Sequence, residues 1–276
     1  MKKFLAILLI VALAASFVAC SNNNAGNEDV NSNGTDDPDV KPEETANPEP
    51  AKTEEPVASP DEDVKGEGVM TYAEYIAADL DTEVVVETYV QAKQSWWDDK
   101  ATVYTQDHDG AYFCYNMTCS EEDYAKLLPG TKIKVTGYKS EWAGEVEIID
   151  ATFEIEEGEP YVAEALDVTE LLGTDELIAH QNEFVAFKGL TIEAYDENGA
   201  AFAYKNEAEK TDDLYFKASY NGTTYDFCVE YYLCGSDTDV YKAVEALNVG
   251  DVVDLEGFLY WYEGANPHVT ALTVAK

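Results

Sequence analysis

The chain of 276 residues contains no arginine, so all 17 of its cationic side chains are lysines. Against them stand 56 aspartates and glutamates, for a net charge of −39. Nucleic-acid affinity comes largely from cations that neutralise phosphates, and the guanidinium fork that grips phosphate or guanine is absent. On this balance no nucleic-acid partner is expected, and no basic patch for anionic lipid headgroups. Histidine is scarce too, with three in the chain. No HExxH, no GxSxG and no phosphate-cradling glycine loop occurs, so the sequence points to neither an enzyme nor a cofactor. From Gly68 onward there are 42 acids, so paired carboxylates arise by chance and single out no glycosidase pair. Asp98, Asp99, Asp107 and Asp109 offer oxygen ligands, but without a calcium-binding loop no metal site is expected. Long apolar runs are also lacking. The longest, Phe4 to Ala15, falls short of the ~18–20 residues a spanning helix needs.

Lys2 and Lys3 precede that run, and Ser16-Phe17-Val18-Ala19-Cys20 closes it. A basic start, a short apolar stretch and small residues before a cut site make an export signal. The segment resembles the signals of bacterial lipoproteins, although Phe17 stands where that motif usually has leucine. The resemblance implies a signal peptide over 1–20, lipidation at Cys20 and a location on the cell membrane, facing outside the cytoplasm. The lipid would then be the sole attachment to the membrane. Residues 21–67 hold six of the nine prolines, 14 acids, three lysines and no aromatic residue. Such a stretch cannot bury enough apolar surface to offset its ordering entropy, and self-repulsion extends it. It reads as a disordered acidic spacer.

Beyond it the chain repeats itself. Thr82-Glu83-Val84-Val85-Val86 lines up with Asn182-Glu183-Phe184-Val185-Ala186, and Phe113-Cys114 with Phe227-Cys228. The run from Gly130 through Gly137 to Tyr138 matches Gly250 through Gly257 to Phe258 without a gap. Two domains follow, 68–158 and 159–276. Each reads strand, strand, strand, helix, strand, strand. Asp109-Gly110 and Asn221-Gly222 are hairpin-turn signals. Ser120 opens a capping pattern ahead of Tyr124, Leu127 and Leu128, and Val240, Val244 and Leu247 mark the matching helix. In the last strand of the first copy, apolar positions jump from Val146 and Ile148 to Ile149, Ala151 and Phe153, as a β-bulge would make them. Thr71-Tyr-Ala-Glu74 is a capping box for a further short helix, whose counterpart would lie in Thr169 to His180. This element order is that of the OB-fold, a five-stranded partly open Greek-key barrel. The expected class is therefore all-β with short helices, in two tandem OB-fold-like barrels. The chain resembles bacterial lipoproteins carrying tandem OB-like domains, a likeness that implies a fold and leaves activity open.

In an OB-fold, ligands use the face of strands 2 and 3, walled by the 1–2 and 4–5 loops. Trp96 and Trp97 fall at the first of these loops, Trp142 at the second, and Tyr260-Trp261-Tyr262 at the second loop of the other copy. Trp97 and Trp261 are expected in the core, Trp261 keeping the parity of Val253 and Leu255, whereas Trp142 and Tyr262 have the opposite parity and are expected at the surface. Rings beside carboxylates suit sugars: they stack on pyranose C–H faces while charged acceptors take hydroxyl hydrogens. The expected function is a binding module, with an oligosaccharide as its most plausible ligand. The alternative partner is an envelope protein that buries the same aromatics.

Besides Cys20 there are four cysteines, in repeat-equivalent pairs: Cys114 with Cys119, and Cys228 with Cys234. An exported protein sits where disulfides persist, and even pairing fits one short bridge per domain. Buried free thiols remain the alternative.

Overall fold

The computed structural model describes residues 65–206 and 211–275. The expected signal peptide, Cys20 and nearly all of the expected acidic spacer lie outside the described residues.

Two five-stranded barrels follow one another. The first opens with α1 (Tyr72–Ala77), capped by Thr71 and Glu74 in the reciprocal pattern read from sequence. Its strands are β1 (Glu83–Lys93), β2 (Lys100–Gln106), β3 (Ala111–Thr118), β4 (Lys132–Trp142) and β5 (Glu145–Ile155). They close in the order β1-β2-β3-β5-β4. Only one turn of helix, α2 (Glu121–Tyr124), stands between β3 and β4. Leu127 is buried but Leu128 is exposed, because the helix ends before either residue and they do not share a helical face.

The second barrel is built from β7 (Phe184–Glu193), β9 (Leu214–Tyr220), β10 (Thr223–Val229), β11 (Val252–Phe258) and β12 (His268–Val274). It closes through a β7–β9 pairing. The short strands β6 (Leu166–Asp167) and β8 (Phe202–Tyr204) extend its edges, and α3 (Asp239–Glu245) precedes β11. Val240, Val244 and Leu247 of the α3 region all pack into the core. The helix expected over Thr169–His180 is instead two 3-10 turns, Thr169–Leu171 and Leu177–His180. Gly173, at φ +79°, lies between them and interrupts the helical path. Both barrels thus have the OB-fold strand order.

The matched glycine pairs have a physical reason. Gly130 and Gly250 both take positive φ, +87° and +93°, and donate to Val90 O and Ile192 O, starting β4 and β11. Gly137 and Gly257 sit opposite the β-bulges of β5 and β12. A Cβ on Gly137 would meet Ile148 Cγ2 at 2.7 Å, and one on Gly257 would meet His268 O at 2.2 Å. The bulge read from the parity jump in β5 is present, with Asp150 at φ +49°.

The two bulges are not superimposable, and this decides which way the strands face. Tyr138 pairs with Ile149 in the first barrel, whereas Phe258 pairs with His268 in the second. Relative to the repeat alignment the second register is one residue off, and a one-residue slip turns side chains to the other face of the sheet. Ile148 therefore points into the first core, while His268 points out of the second and Val269 points in.

Candidate functional site between the barrels

In each barrel the outer faces of strands 2, 3 and 5 carry a row of paired residues. In the first the row is Tyr104, Phe113 and Glu147; in the second it is Tyr215, Cys228 and His268. Their strand neighbours Val103, Tyr112, Cys114, Phe216, Phe227 and Val269 face the two cores. The rows meet. Tyr104 stacks on Phe258 at 4.5 Å, and its hydroxyl pairs with His268 Nδ1 at 2.6 Å. Tyr104, Phe113 and Phe258 form a small apolar cluster of their own. The usual ligand face of the first barrel is thus partly filled by the second barrel.

Polar ties complete the junction. Phe184 N donates to Gln106 Oε1 at 2.8 Å, and Gln181 Nε2 donates to Gly144 O at 2.8 Å. Glu145 is fully buried, and its Oε2 accepts the Trp261 N–H at 2.8 Å. Burial pushes its carboxyl up to about 9, against the opposing pull of the Trp261 N–H and the Asn182 and Gln181 side chains. Glu145 Oε1 and Asn182 Oδ1 are both buried without a hydrogen-bond partner.

Beside this contact the faces part into a cleft of about 460 Å³. Trp142, Tyr260, Tyr262, Tyr115, Tyr215 and Tyr232 supply its rings, and Gln94, Asn266, Lys205, Asp212, Asp213 and Glu230 its polar groups. Trp142 and Tyr262 come from repeat-equivalent turns. Ala143 and Gly144 have φ +53° and +92°, a mirror-image hairpin turn that leaves Trp142 at its shoulder. Glu263 N donates to Ala143 O at 2.7 Å, tying one turn to the other. The two rings lie 5.1 Å apart at 41°, and both are about half exposed (56% and 46%). Tyr260 lies flat on His268 at 4.2 Å.

Electrostatics in the cleft follow burial. Glu230 accepts the N–H groups of Tyr232 and Leu233 at 3.1 and 2.7 Å, and burial raises its carboxyl to about 7. Asp213 accepts from Tyr231 N and from Lys205, each at 2.9 Å. Burial lowers His268 to about 3, so the imidazole is neutral at ordinary pH. The cleft therefore offers aromatic faces, oriented acceptors and one paired cation. Among the described residues no three His, Cys, Asp or Glu side chains gather into a metal-holding group.

The six aromatics picked from sequence divide three ways. Trp142, Tyr260 and Tyr262 line the cleft. Trp261, between two of them, turns to the opposite side and lines a different cavity. Trp96 and Trp97 line neither. Trp96 is half-buried and donates to Cys119 O at 2.9 Å. Trp97, expected in the core, is 68% exposed, because Asp98 and Asp99 take positive φ and swing the chain outward. Sequence reasoning missed Tyr115, Tyr215 and Glu230. The available signal was β3 itself, where Tyr112 and Phe113 place aromatics on both faces of one strand.

The expected bridges are not formed: Cys114, Cys119, Cys228 and Cys234 are free and buried. Cys114 and Cys119 are separated by extended β3 chain, and at ~3.3 Å per residue their Cα atoms lie beyond the ~7 Å limit for a disulfide. Cys228 faces outward from β10 whereas Cys234 belongs to the barrel core, so the strand wall separates them. Burial raises all four thiols, with Cys119 at about 11 and Cys114 and Cys234 at about 12. A thiol reagent should therefore titrate four groups besides Cys20 after unfolding without reductant, and react slowly with them beforehand. Recovery of none, as two bridges would give, or of only two would contradict free thiols.

No family model and no curated protein sequence matches the chain. Solved structures similar to it include a murine DNA-binding protein bound with double-stranded DNA, at 12% identity over 71% of this chain and 99% of that one, with a TM-score of 0.31. A p204 HINb domain matches at 13% identity over 68% and 95% of the two chains, with a TM-score of 0.31. A replication protein A heterotrimer bound to single-stranded DNA matches at 12% identity over 70% and 49%, with a TM-score of 0.30. These neighbours are OB-fold-like, in keeping with the barrels described above. They also correct the expectation that nucleic acid is excluded, since the murine protein and the replication protein are described with DNA bound. Net charge sums the whole surface, whereas stacking on bases is set by a few rings in one groove. At such identities and scores the likeness carries no argument about what this chain binds.

Proposed function

We propose that the protein is a non-catalytic binding module, held at the outer side of a cell membrane by a lipid on Cys20, that captures an oligosaccharide in the cleft between its barrels. The supporting observation is the Trp142–Tyr262 pair, two half-exposed rings 5.1 Å apart contributed by matching turns of both barrels. Glu230, Asp213 and Asn266 stand beside them in the same cleft. Rings of this kind stack on sugar C–H faces, and the carboxyl and amide oxygens beside them can accept hydroxyl hydrogens. A cleft of about 460 Å³ accommodates a short oligosaccharide.

The test is intrinsic fluorescence of the full chain against a panel of neutral oligosaccharides, with a single-stranded oligodeoxynucleotide as a separate arm. A saturable sugar response is expected, weakened about tenfold or more by Trp142→Ala or Tyr262→Ala, since losing one stacked ring costs ~1–2 kcal/mol. Circular dichroism checks that both variants fold. No response to any sugar, or a response to the oligonucleotide alone that Trp142→Ala abolishes, overturns the sugar reading.

A further inference from the structure

Trp261 points away from the cleft into a second cavity of about 360 Å³, at the seam of the second barrel. The seam exists because β10 and β12 pair at a single position, Cys228 with His268. Pro267, next in line, accepts from Cys228 N at 3.1 Å but has no N–H to continue the ladder. Beyond that bridge, among the described residues, β10 has no neighbouring strand on the side away from β9. The chain between Trp261 and Pro267 moves away from it, held by the Trp261–Ala265 bridge, and a hollow opens.

The lining has two characters. Trp261, Phe227 and Leu177 give an apolar wall and floor, while Tyr225 adds a phenol and the outward-facing Thr224 and Asp226 border the rim. Trp261 is a fixed wall. Its backbone N–H is bonded to buried Glu145, and its indole lies so close to Gly144 that a Cβ there would sit 2.8 Å from Trp261 Cδ1. A rigid aromatic wall, an apolar floor and a rim of short-range acceptors and donors suit a flat ring with one apolar face and hydroxyls around its edge.

We infer that the seam is a second binding site, separate from the cleft, that takes a single pyranose ring against Trp261. Occupancy presses on the residue whose neighbours Tyr260 and Tyr262 line the cleft, so the two sites share one three-residue aromatic segment. This inference is independent of what fills the cleft.

The test uses the full chain with Trp96, Trp97 and Trp142 each replaced by phenylalanine, so that Trp261 is the only indole. Glucose, galactose and N-acetylglucosamine are the probes. At least one should give a saturable change in Trp261 emission, with a millimolar dissociation constant. Thr174→Tyr, which places a ring over the mouth from an exposed rim position, should weaken the response at least tenfold. Asp226→Asn, also at an exposed position, should weaken it about threefold while leaving circular dichroism unchanged. No saturable response to any of the three sugars in a folded protein overturns the inference. So does a response that both Thr174→Tyr and Asp226→Asn leave intact. Trp142 is absent from this background, so failure here is distinguishable from failure of the cleft.

Discussion

Gly257→Ala is expected to cost about 3 kcal/mol of stability, near the upper end of what overpacking does. The reason is the 2.2 Å separation between an added Cβ and His268 O, together with 2.8 Å to Val269 Cα. Both obstacles are backbone of the paired strand β12, so no rotamer change relieves them. Gly137→Ala meets side-chain methyls and one carbonyl at 2.7–2.8 Å, and should cost less, ~1–2 kcal/mol. Gly250→Ala has open space around it but sits at φ +93°, so only backbone strain of ~1–2 kcal/mol opposes it. Chemical unfolding should place Gly257→Ala lowest, with the other two variants between it and wild type. A Gly257→Ala protein as stable as wild type would mean that β11 and β12 are not in the described register.

Glu145→Gln should raise stability, and more so as pH rises. The carboxyl is lifted from 4.5 to about 9 by burial, so between those values the folded chain holds a proton that the unfolded chain has released. Stability from this group is therefore highest below the unfolded value, falls as pH rises and levels off above about 9. The shift corresponds to a penalty on the order of 3 kcal/mol at pH 7. Glu147, raised by burial, acts in the same direction. Glu230 does so only up to its value of about 7. His268, lowered to about 3, acts oppositely, but only below its unfolded value of 6.5. Between pH 7 and 8 Glu145 therefore dominates the slope, and the four buried thiols, raised from 9.0, add to it as pH climbs further. A glutamine keeps an acceptor for the Trp261 N–H and carries no charge. Urea unfolding across that window should show a falling curve for wild type and a flatter, higher one for Glu145→Gln. Glu145→Ala should flatten the curve in the same way but lie below Glu145→Gln at every pH, because it leaves the Trp261 N–H without its acceptor. A Glu145→Gln curve parallel to wild type would place the carboxylate in water and the junction elsewhere.

Much of the fold was legible because barrels write themselves into alternation. Val84 and Val86, or Val253 and Leu255, mark a buried face at period two, and the jump from Ile148 to Ile149 marks the bulge. The glycine pairs were visible as a repeat, although their purpose, opposite a bulge in the neighbouring strand, needed the pairing partner. Where the second copy departs, the signal was too small to see. One residue of register at the β12 bulge sends His268 outward and reverses the sense of β10, so that Phe113 faces out while Phe227 faces in. That reversal also undid the symmetric disulfide expectation. Within the candidate site, the turn positions of Trp142 and Tyr262 announced themselves, because a turn residue is local. The cleft walls did not, since Tyr115, Tyr215 and Glu230 become neighbours only when the outer faces of two domains meet. Trp97 lies outside the core because it sits on the turn that Asp98 and Asp99 make at positive φ, before the alternation of β2 begins.

The proposed function requires that ligand stack in the cleft. Its most direct test is the indole N–H region of a nitrogen–proton correlation spectrum of the full chain, which holds four tryptophan signals. Each is assigned by single Trp→Phe variants, then followed during addition of the oligosaccharide that gives the largest fluorescence response. The expected result is a saturable shift of the Trp142 signal, abolished in Tyr262→Ala, with Trp96 and Trp97 unmoved. A shift confined to exposed Trp97, or no movement of Trp142 at saturating sugar, would contradict it.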